Sequence, residues 1–339
     1  MVKFVKISES VYQMISMQDI AVRLGVSKAT VSLVLSGKAG SRVSDGMKEK
    51  VLKTAKEMGY HVNDLARSLR TGRSNVIGVL VTDISNEFFG KMSFHIQEEA
   101  KRYGYVVITA NTNESDEELR SMVKTLVSKQ VDGMIIVPTQ GSRDDLKMMA
   151  DGGVPLVQID RRIDSLDADY VGTCNYESTY QAIEKVIESG KVRIGMVTLD
   201  LEVNAITERR AGFEDALRAH GMFDPDLVKA VDFDTLDKIE AALTELASEK
   251  PDALFFSSRR VFTKAMEVLA ARKGLISEDA TLICFDEARS YMNMTGHDLW
   301  YIEQPIEMMA KKAFSLLIDN IEGNTVHGSH TFMSTLVTE

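Results

Sequence analysis

From Asn75 onward, short apolar runs alternate with longer stretches of helical periodicity, and this alternation constrains the fold more than any other feature. Seven runs read as strands: 76–81, 106–110, 133–137, 156–159, 193–198, 253–256 and 282–285. Helical patterns follow most of them, among them 87–103, 117–129, 176–189 and 207–220. Near-continuous apolar strands between amphipathic helices build a parallel sheet covered by helices on both faces. Repeated over about 260 residues, more than one sheet usually carries, the pattern predicts two α/β lobes. Ligands in such folds bind beyond the carboxyl ends of the strands. Several polar and aromatic residues fall there or at the start of the next helix: Phe88, Phe89, Asp160, Arg161, Arg209, Asp286 and Gln304.

The chain before Asn75 follows a different pattern. Ser16 and Asp19 form a capping-box pair, Asp standing where Glu is usual, ahead of a helix with Ile20, Ala21 and Leu24 on one face. Gly25 follows, where a tight turn needs a left-handed backbone. Ser27 caps a second helix with Val31, Val34 and Leu35 inward, and Ser44 opens a third whose Val51, Leu52, Ala55 and Met58 complete an all-α three-helix core. Two short helices meeting at a Gly-containing turn form the helix-turn-helix pattern, with a plain helical hairpin as the alternative. The outward residues of the second helix are Lys28, Ala29, Ser32 and Leu33. In a major groove, Lys28 reaches guanine acceptors while Ala29 and Leu33 meet thymine methyls. Asn63 can then cap a helix of only about seven residues, marginal by itself in water. That stretch reads either as a linker or as a hinge that folds on DNA with Leu69 wedged into a minor-groove step.

A net charge of −10 argues against a nucleic-acid partner only until it is divided. The first 75 residues hold 13 Lys and Arg against 6 Asp and Glu, and the remainder 27 against 44. These are a head of +7, which phosphates attract, and a body of −17, which they repel. Lys28, Lys38, Arg42, Lys48 and Lys50 can meet phosphates. With 44% hydrophobic and 27% charged residues the chain is a folded one rather than a disordered one. No apolar run approaches the roughly 18–20 residues that span a bilayer, and the opening MVKFVKISESVYQM lacks the apolar core of a signal peptide. With only Cys174 and Cys284, which form neither a disulfide framework nor a metal cluster, a cytoplasmic location is expected. No nucleotide-binding loop, nucleophile elbow or zinc-protease motif occurs, so no catalytic residue, metal or cofactor is assigned. His327 and His330 form an HxxH too sparse for zinc, and the run ESDEE at 114–118 reads as a solvated helix start.

The ordered set DIAVRLGVSKATVSLVL, MGYHVN and ARSLRTGRSNVIGVLV resembles the LacI/GalR family of bacterial transcription regulators, over essentially the whole chain from about Met17. The resemblance implies a helix-turn-helix domain at 15–62, a hinge at 63–74 and an effector-binding, dimerising domain at 75–339 similar to periplasmic sugar-binding proteins. Its first lobe would take about 75–173 and 303–325, its second about 174–302 and 326–339. By this resemblance Thr30 and Ser32 contact phosphates, Lys28, Ala29 and Leu33 read bases, and Ala66 joins Leu69 in the minor groove. Many members carry Arg where Leu33 stands, so an arginine-to-guanine contact is missing here. The body motifs ISNEFFGKM, GVPLVQIDRR, ITERRAGFEDAL, LICFDEA and YIEQP place Phe88, Phe89, Asp160, Arg161, Arg209, Asp286 and Gln304 as effector ligands. Ser258 and Arg259 stand where many relatives have an Asn-Asp pair, replacing an acid by a base. The implied protein is a homodimer on a pseudo-palindromic operator, without a membrane partner, controlled by a sugar or sugar-acid effector. A tilt of the cleft toward positive charge would suit a uronate or sugar phosphate, and an outward-facing Arg259 would suit a neutral sugar. A transport-type sugar receptor without a DNA role is the alternative, and the basic head separates the two.

Overall fold

In the head, side-chain caps open the first two helices, whereas Ser44 precedes the third without a side-chain cap bond. The computed structural model describes residues 15–60, 68, 72–232, 236–292, 294, 296–324 and 326–338. Helix α1 (Met17–Leu24) opens with the full capping box: Ser16 Oγ accepts from the Asp19 N–H, and the Asp19 carboxylate accepts from the Ser16 N–H at 2.8 Å. Gly25 ends it at φ 65°, so the chain turns without a Cβ clash. Ser27 caps α2 (Lys28–Leu35) by accepting from Thr30 N–H at 3.1 Å, and α3 (Asp45–Glu57) crosses both. Ile20, Ala21, Val31, Val34, Val51 and Ala55 bury together as the core. Leu52, expected inside, is 55% exposed, because one step along a helix from Val51 turns it to the outer face. Ala66 and Leu69, expected at the hinge, lie outside the described residues.

The chain divides into two compact units between Ser74 and Asn75. In the second unit β1 (Val76–Val81), α4 (Glu87–Arg102), β2 (Val106–Asn111), α5 (Asp116–Ser128), β3 (Gly133–Ile136), α6 (Arg143–Asp151), β4 (Leu156–Ile159) and β5 (Asp169–Thr173) build the first lobe. Then α7 (Asn175–Glu188), β6 (Ile194–Leu199), α8 (Asn204–Ala219), β7 (Val228–Val231), α9 (Leu236–Ser248), β8 (Ala253–Phe256), α10 (Arg259–Ala271), β9 (Thr281–Phe285) and β10 (Leu299–Glu303) build the second. Last come α11 (Ile306–Glu322), β11 (Ser329–Phe332) and β12 (Thr335–Val337). The sheets run β11-β5-β4-β3-β1-β2 and β12-β10-β9-β8-β6-β7, and only β10 with β12 is antiparallel. Alternation along each strand serves two faces. Ile77, Val79 and Val81 pack toward α4 and α11, while Leu80 packs toward α5 and α6. A Cβ at Gly78 would stand 2.7 Å from Leu126 Cδ1, so glycine lets α5 lie close on β1.

The seven expected strands form. Strands β5, β7, β11 and β12, with sequences such as DYVGT and VKAV, lack a comparable apolar run, while β10 (LWYIE), apolar over four residues, is a further strand beyond the seven. Helix α11 packs on α4 in the first lobe. Residues 326–339 do not all belong to the second lobe: Ser329–Phe332 pairs with β5, and only Thr335–Val337 pairs with β10. The edge of the first sheet beside β5 is still open when the chain arrives, and backbone pairing there captures β11 before the last crossing. Strand β2 is the other edge, and Val106 and Ile108 on it are exposed.

Candidate ligand site and nucleic-acid surface

The two sheets present equivalent strand ends to one another. Asp160 follows β4 and Asp286 follows β9, the same place in each sheet order. Both have positive φ, 66° and 94°, a region that residues with a side chain rarely occupy. At Asp160 the Arg161 N–H donates to the Ile159 carbonyl at 2.7 Å, closing the rare positive-φ form of the γ-turn. Both carboxyls are buried, and burial raises both pKa values: Asp160 is pushed up to about 6 against the pull of Arg161 and Arg209, and Asp286 moves the same way against Arg209 and Gln304.

Two guanidinium groups answer them. Arg161 binds Glu114 through two nitrogens at 2.6 and 2.7 Å, leaving its Nε 3.7 Å from Asp160. Arg209, on α8, donates to Asn175 Oδ1 at 2.8 Å and to the Ser257 carbonyl at 2.9 Å. Its guanidinium carbon lies 3.6 Å from the centroid of the Phe285 ring, a cation–π contact. Gln304, at the crossing into α11, donates to Asp286 Oδ1 at 2.5 Å and accepts from the Thr173 hydroxyl at another crossing. The other Asp286 oxygen accepts the Arg259 N–H at 3.1 Å.

Phe88, Phe89, Asp160 and Arg161 from the first lobe, Arg209, Ser258 and Asp286 from the second, and Gln304 between them line one cavity of about 40 Å³. The ninth expected residue, Arg259, is absent from it. Its guanidinium turns away to Glu87 Oε2 at 2.5 Å and to the Glu287 carbonyl, so its charge reaches the cavity only at a distance, through its pull on Asp286. Glu114 corrects a second expectation. The ESDEE run is not wholly solvated, since Glu114 lines the cavity as the partner of Arg161 and Asp116 accepts from Thr139 and Gly141. Asn175, which aims Arg209, also escaped the sequence reading. Its one signal is a polar residue immediately after the Thr173–Cys174 crossing.

On the head, Lys28 and Ala29 are exposed, and Thr30, Ser32 and Leu33 half-buried. The Thr30 hydroxyl lies 2.9 Å from the Ser27 hydroxyl that caps α2. Leu33 also packs against the three-helix core, so only part of its side chain faces outward. Lys38, Arg42 and Lys50 are exposed, whereas Lys48 is paired with Asp45 at 2.7 Å. Among the described residues no helix is long and apolar enough to cross a membrane, and no cluster of three potential metal ligands exists.

A helix-turn-helix head followed by two equivalent α/β lobes with charged residues between them defines a ligand-gated DNA-binding regulator as a class. Residues 16–63 match the family of bacterial regulatory proteins, lacI family, and residues 74–334 match periplasmic binding proteins and sugar binding domain of LacI family. The chain belongs to the LacI family and is a DNA-binding transcription regulator. It is 31% identical over 311 residues to the ribose operon repressor of Halalkalibacterium halodurans, covering 91% of both chains. It is 28% identical over 312 residues to the probable regulator EndR of Paenibacillus polymyxa, again covering 91% of both. A solved complex of the regulator CelR with cellobiose matches at a TM-score of 0.69 and 26% identity, covering 95% of this chain and 98% of that one. The lac repressor dimer bound to operator and the anti-inducer ONPF matches in fold at a TM-score of 0.83 and 20% identity, covering 96% and 98%.

Proposed function

We propose that this chain acts as a cytoplasmic, dimeric repressor, without catalytic turnover, whose operator affinity is set by a neutral sugar held between the lobes. The observation that carries the ligand site is convergence: eight expected residues, spread from Phe88 to Gln304, line one buried cavity. Charge selects among sugars. Four carboxylates (Asp83, Glu114, Asp160 and Asp286) face three guanidinium groups (Arg161, Arg209 and Arg260), of which Arg161 is already bound by Glu114 and Arg260 is paired with Asp83. An added anion would meet that excess unscreened, whereas neutral hydroxyls can share both the donors and the acceptors. Phe88 and Phe89 supply rings for the C–H face of a sugar. CelR in complex with cellobiose supports the sugar class.

Operator reading falls to Lys28, Ala29 and Leu33, with Thr30 and Ser32 on phosphates and Ala66 and Leu69 in the minor groove. A second copy would pack on the exposed apolar edge formed by Val106 and Ile108 of β2 with Phe94 of α4, which supports the dimer. Closing the lobes around the sugar would shift the paired hinges, so effector and operator bias one equilibrium. The test is in vitro selection of bound duplexes, followed by calorimetry with matched neutral and acidic sugars. Recovery of a pseudo-palindrome whose affinity changes with a neutral sugar is expected. Exclusive binding of uronates overturns the charge argument, and loss of sequence preference overturns the operator reading.

A further inference from the structure

The segment between β2 and α5 makes a turn that its sequence does not favour. Asn113 and Glu114 both have positive φ, 50° and 59°, and the Ser115 N–H closes the turn on the Thr112 carbonyl at 2.8 Å. A turn with both central residues left-handed prefers Asn followed by Gly, because a side chain at the second place is strained. Asn113 fits that preference, and Glu114 stands where glycine belongs. Side chains on both flanks keep the turn from relaxing. Asn111 accepts from the Ile84 N–H at 2.9 Å and donates to Asn113, and Asn113 donates to Glu118 at 2.8 Å. Ser115 caps α5 by accepting the Glu118 N–H at 3.2 Å. Strain that its surroundings over-determine collects at functional sites. Here it delivers a carboxylate to both terminal nitrogens of Arg161 at 2.6 and 2.7 Å, with the Glu114 and Arg161 side chains only 14% and 7% exposed.

We propose that the Arg161 fork is an anion seat that the chain fills with its own carboxylate, which makes Glu114 the residue that bars acidic effectors. The inference rests on the sugar reading above and deepens it, assigning the choice of a neutral sugar to one side chain. A guanidinium fork matches a carboxylate or a phosphate in shape as well as charge, so a uronate or sugar phosphate would bind there first. Glu114 takes both parallel donors. The remaining Nε is buried without a hydrogen-bond acceptor among the described residues and lies 3.7 Å from Asp160. An incoming acid must therefore displace a tethered carboxylate whose effective concentration at the fork is high. Charge adds to the exclusion. With Glu114 in place four carboxylates face three guanidinium groups, and without it the count is three to three. Neutral hydroxyls need no excess of positive charge, and Asp160, Asp286 and Arg209 remain for them.

The test uses the full chain carrying Glu114→Gly, which suits the positive φ, removes the carboxylate and leaves a space of its size. Thermal unfolding is followed in formate and in chloride at equal ionic strength. Formate should raise the variant's Tm above its value in chloride by about 2 °C, and should leave the parent's Tm unmoved. Calorimetry with glucose against glucuronate, and galactose against galacturonate, then reads the specificity. The ratio of neutral to acidic affinity should fall at least about ten-fold in the variant. Glu114→Gln keeps the volume and drops the charge, so it should narrow the same ratio and gain nothing from formate. That variant carries the test by itself where glycine does not fold. Formate and chloride acting alike on Glu114→Gly, or an unchanged ratio in whichever variant folds, overturns the proposal and leaves the sugar reading intact. Failure of every sugar to bind overturns the sugar reading, while the formate comparison still decides whether Arg161 holds a replaceable anion.

Discussion

The two lobes thread six strands in the same order, yet each satisfies its buried aspartate in a different way. In the second lobe Asp286 is fixed through both oxygens, which the Gln304 amide at 2.5 Å and the Arg259 N–H at 3.1 Å hold. In the first lobe the adjacent Arg161 is taken by Glu114, and Asp160 is left with a cation only at 3.7 Å. One carboxylate is thus pre-organised and the other under-solvated, although both sit on equivalent strand ends with positive φ. Equivalent backbone positions therefore do not make equivalent sites. The difference comes from residues outside the strands, and it makes Asp160 the group with most to gain from a ligand hydroxyl.

Arg209 is the cation both lobes share, and removing it should have the largest effect. Its pKa is lowered by burial against the opposing pull of Asp286 and Asp160, and Asn175, Ser257 and Phe285 hold it in place. Arg209→Met leaves two buried carboxylates facing each other, and stability to urea should fall by about 3–5 kcal/mol. A loss below about 1 kcal/mol would mean that each lobe solvates its aspartate independently, and the comparison would break.

Asp160→Asn sharpens the same contrast through pH. Because the folded pKa is raised from 3.8 to about 6, the folded state binds more protons than the unfolded state between those values. Asp160 therefore costs stability above about pH 6, and the cost is relieved as pH falls toward 4. The asparagine variant should be more stable than the parent at pH 8, by on the order of 3 kcal/mol. The gap should shrink as pH falls through 6 and nearly vanish at 4. A pH-independent gap would count against an under-solvated Asp160.

Glu114→Gln tests the other half of the first-lobe arrangement. Arg161, buried and deprived of its carboxylate, should cost about 2 kcal/mol. Its free fork would turn to Asp160 and pull that carboxyl below its present value. Carboxyl carbon shifts followed through a pH titration would register the drop, and an unmoved Asp160 would show that Glu114 does not divert Arg161.

Most of this architecture was legible because strand and helix periods are direct images of burial. The near-continuous apolar run at 76–81 and the capping residues Ser16 and Ser27 are local signals, and each forms as expected. Strand-end residues were legible too, since parallel sheets fix where ligands meet the chain. What stayed hidden depends on long-range pairing. Glu114 sits in an acidic run whose composition suggests solvent, and only the return of Arg161 from 47 residues away makes it a cavity residue. Arg259 occupies the expected position, but Glu87 from the opposite lobe turns its side chain out. Strand β11 joins the first sheet through backbone pairing, which its polar sequence SHTF does not advertise.

The smallest effects belong at the rims of the cleft, where the lobes exchange charges evenly. The first lobe gives Asp83 to Arg260 at 3.3 Å and Arg162 to Glu208 at 3.1 Å, one acid and one base from each side. All four side chains keep 25–31% exposure, so water screens both pairs. Double-mutant cycles through Arg260→Ala with Asp83→Ala, and Arg162→Ala with Glu208→Ala, should each give about 0.5 kcal/mol of coupling. The coupling should fade as salt is raised toward 1 M, where the Debye length is about 3 Å. A salt-resistant coupling above about 2 kcal/mol would make the rims, rather than the buried Arg209 between two aspartates, the place where the lobes are held together.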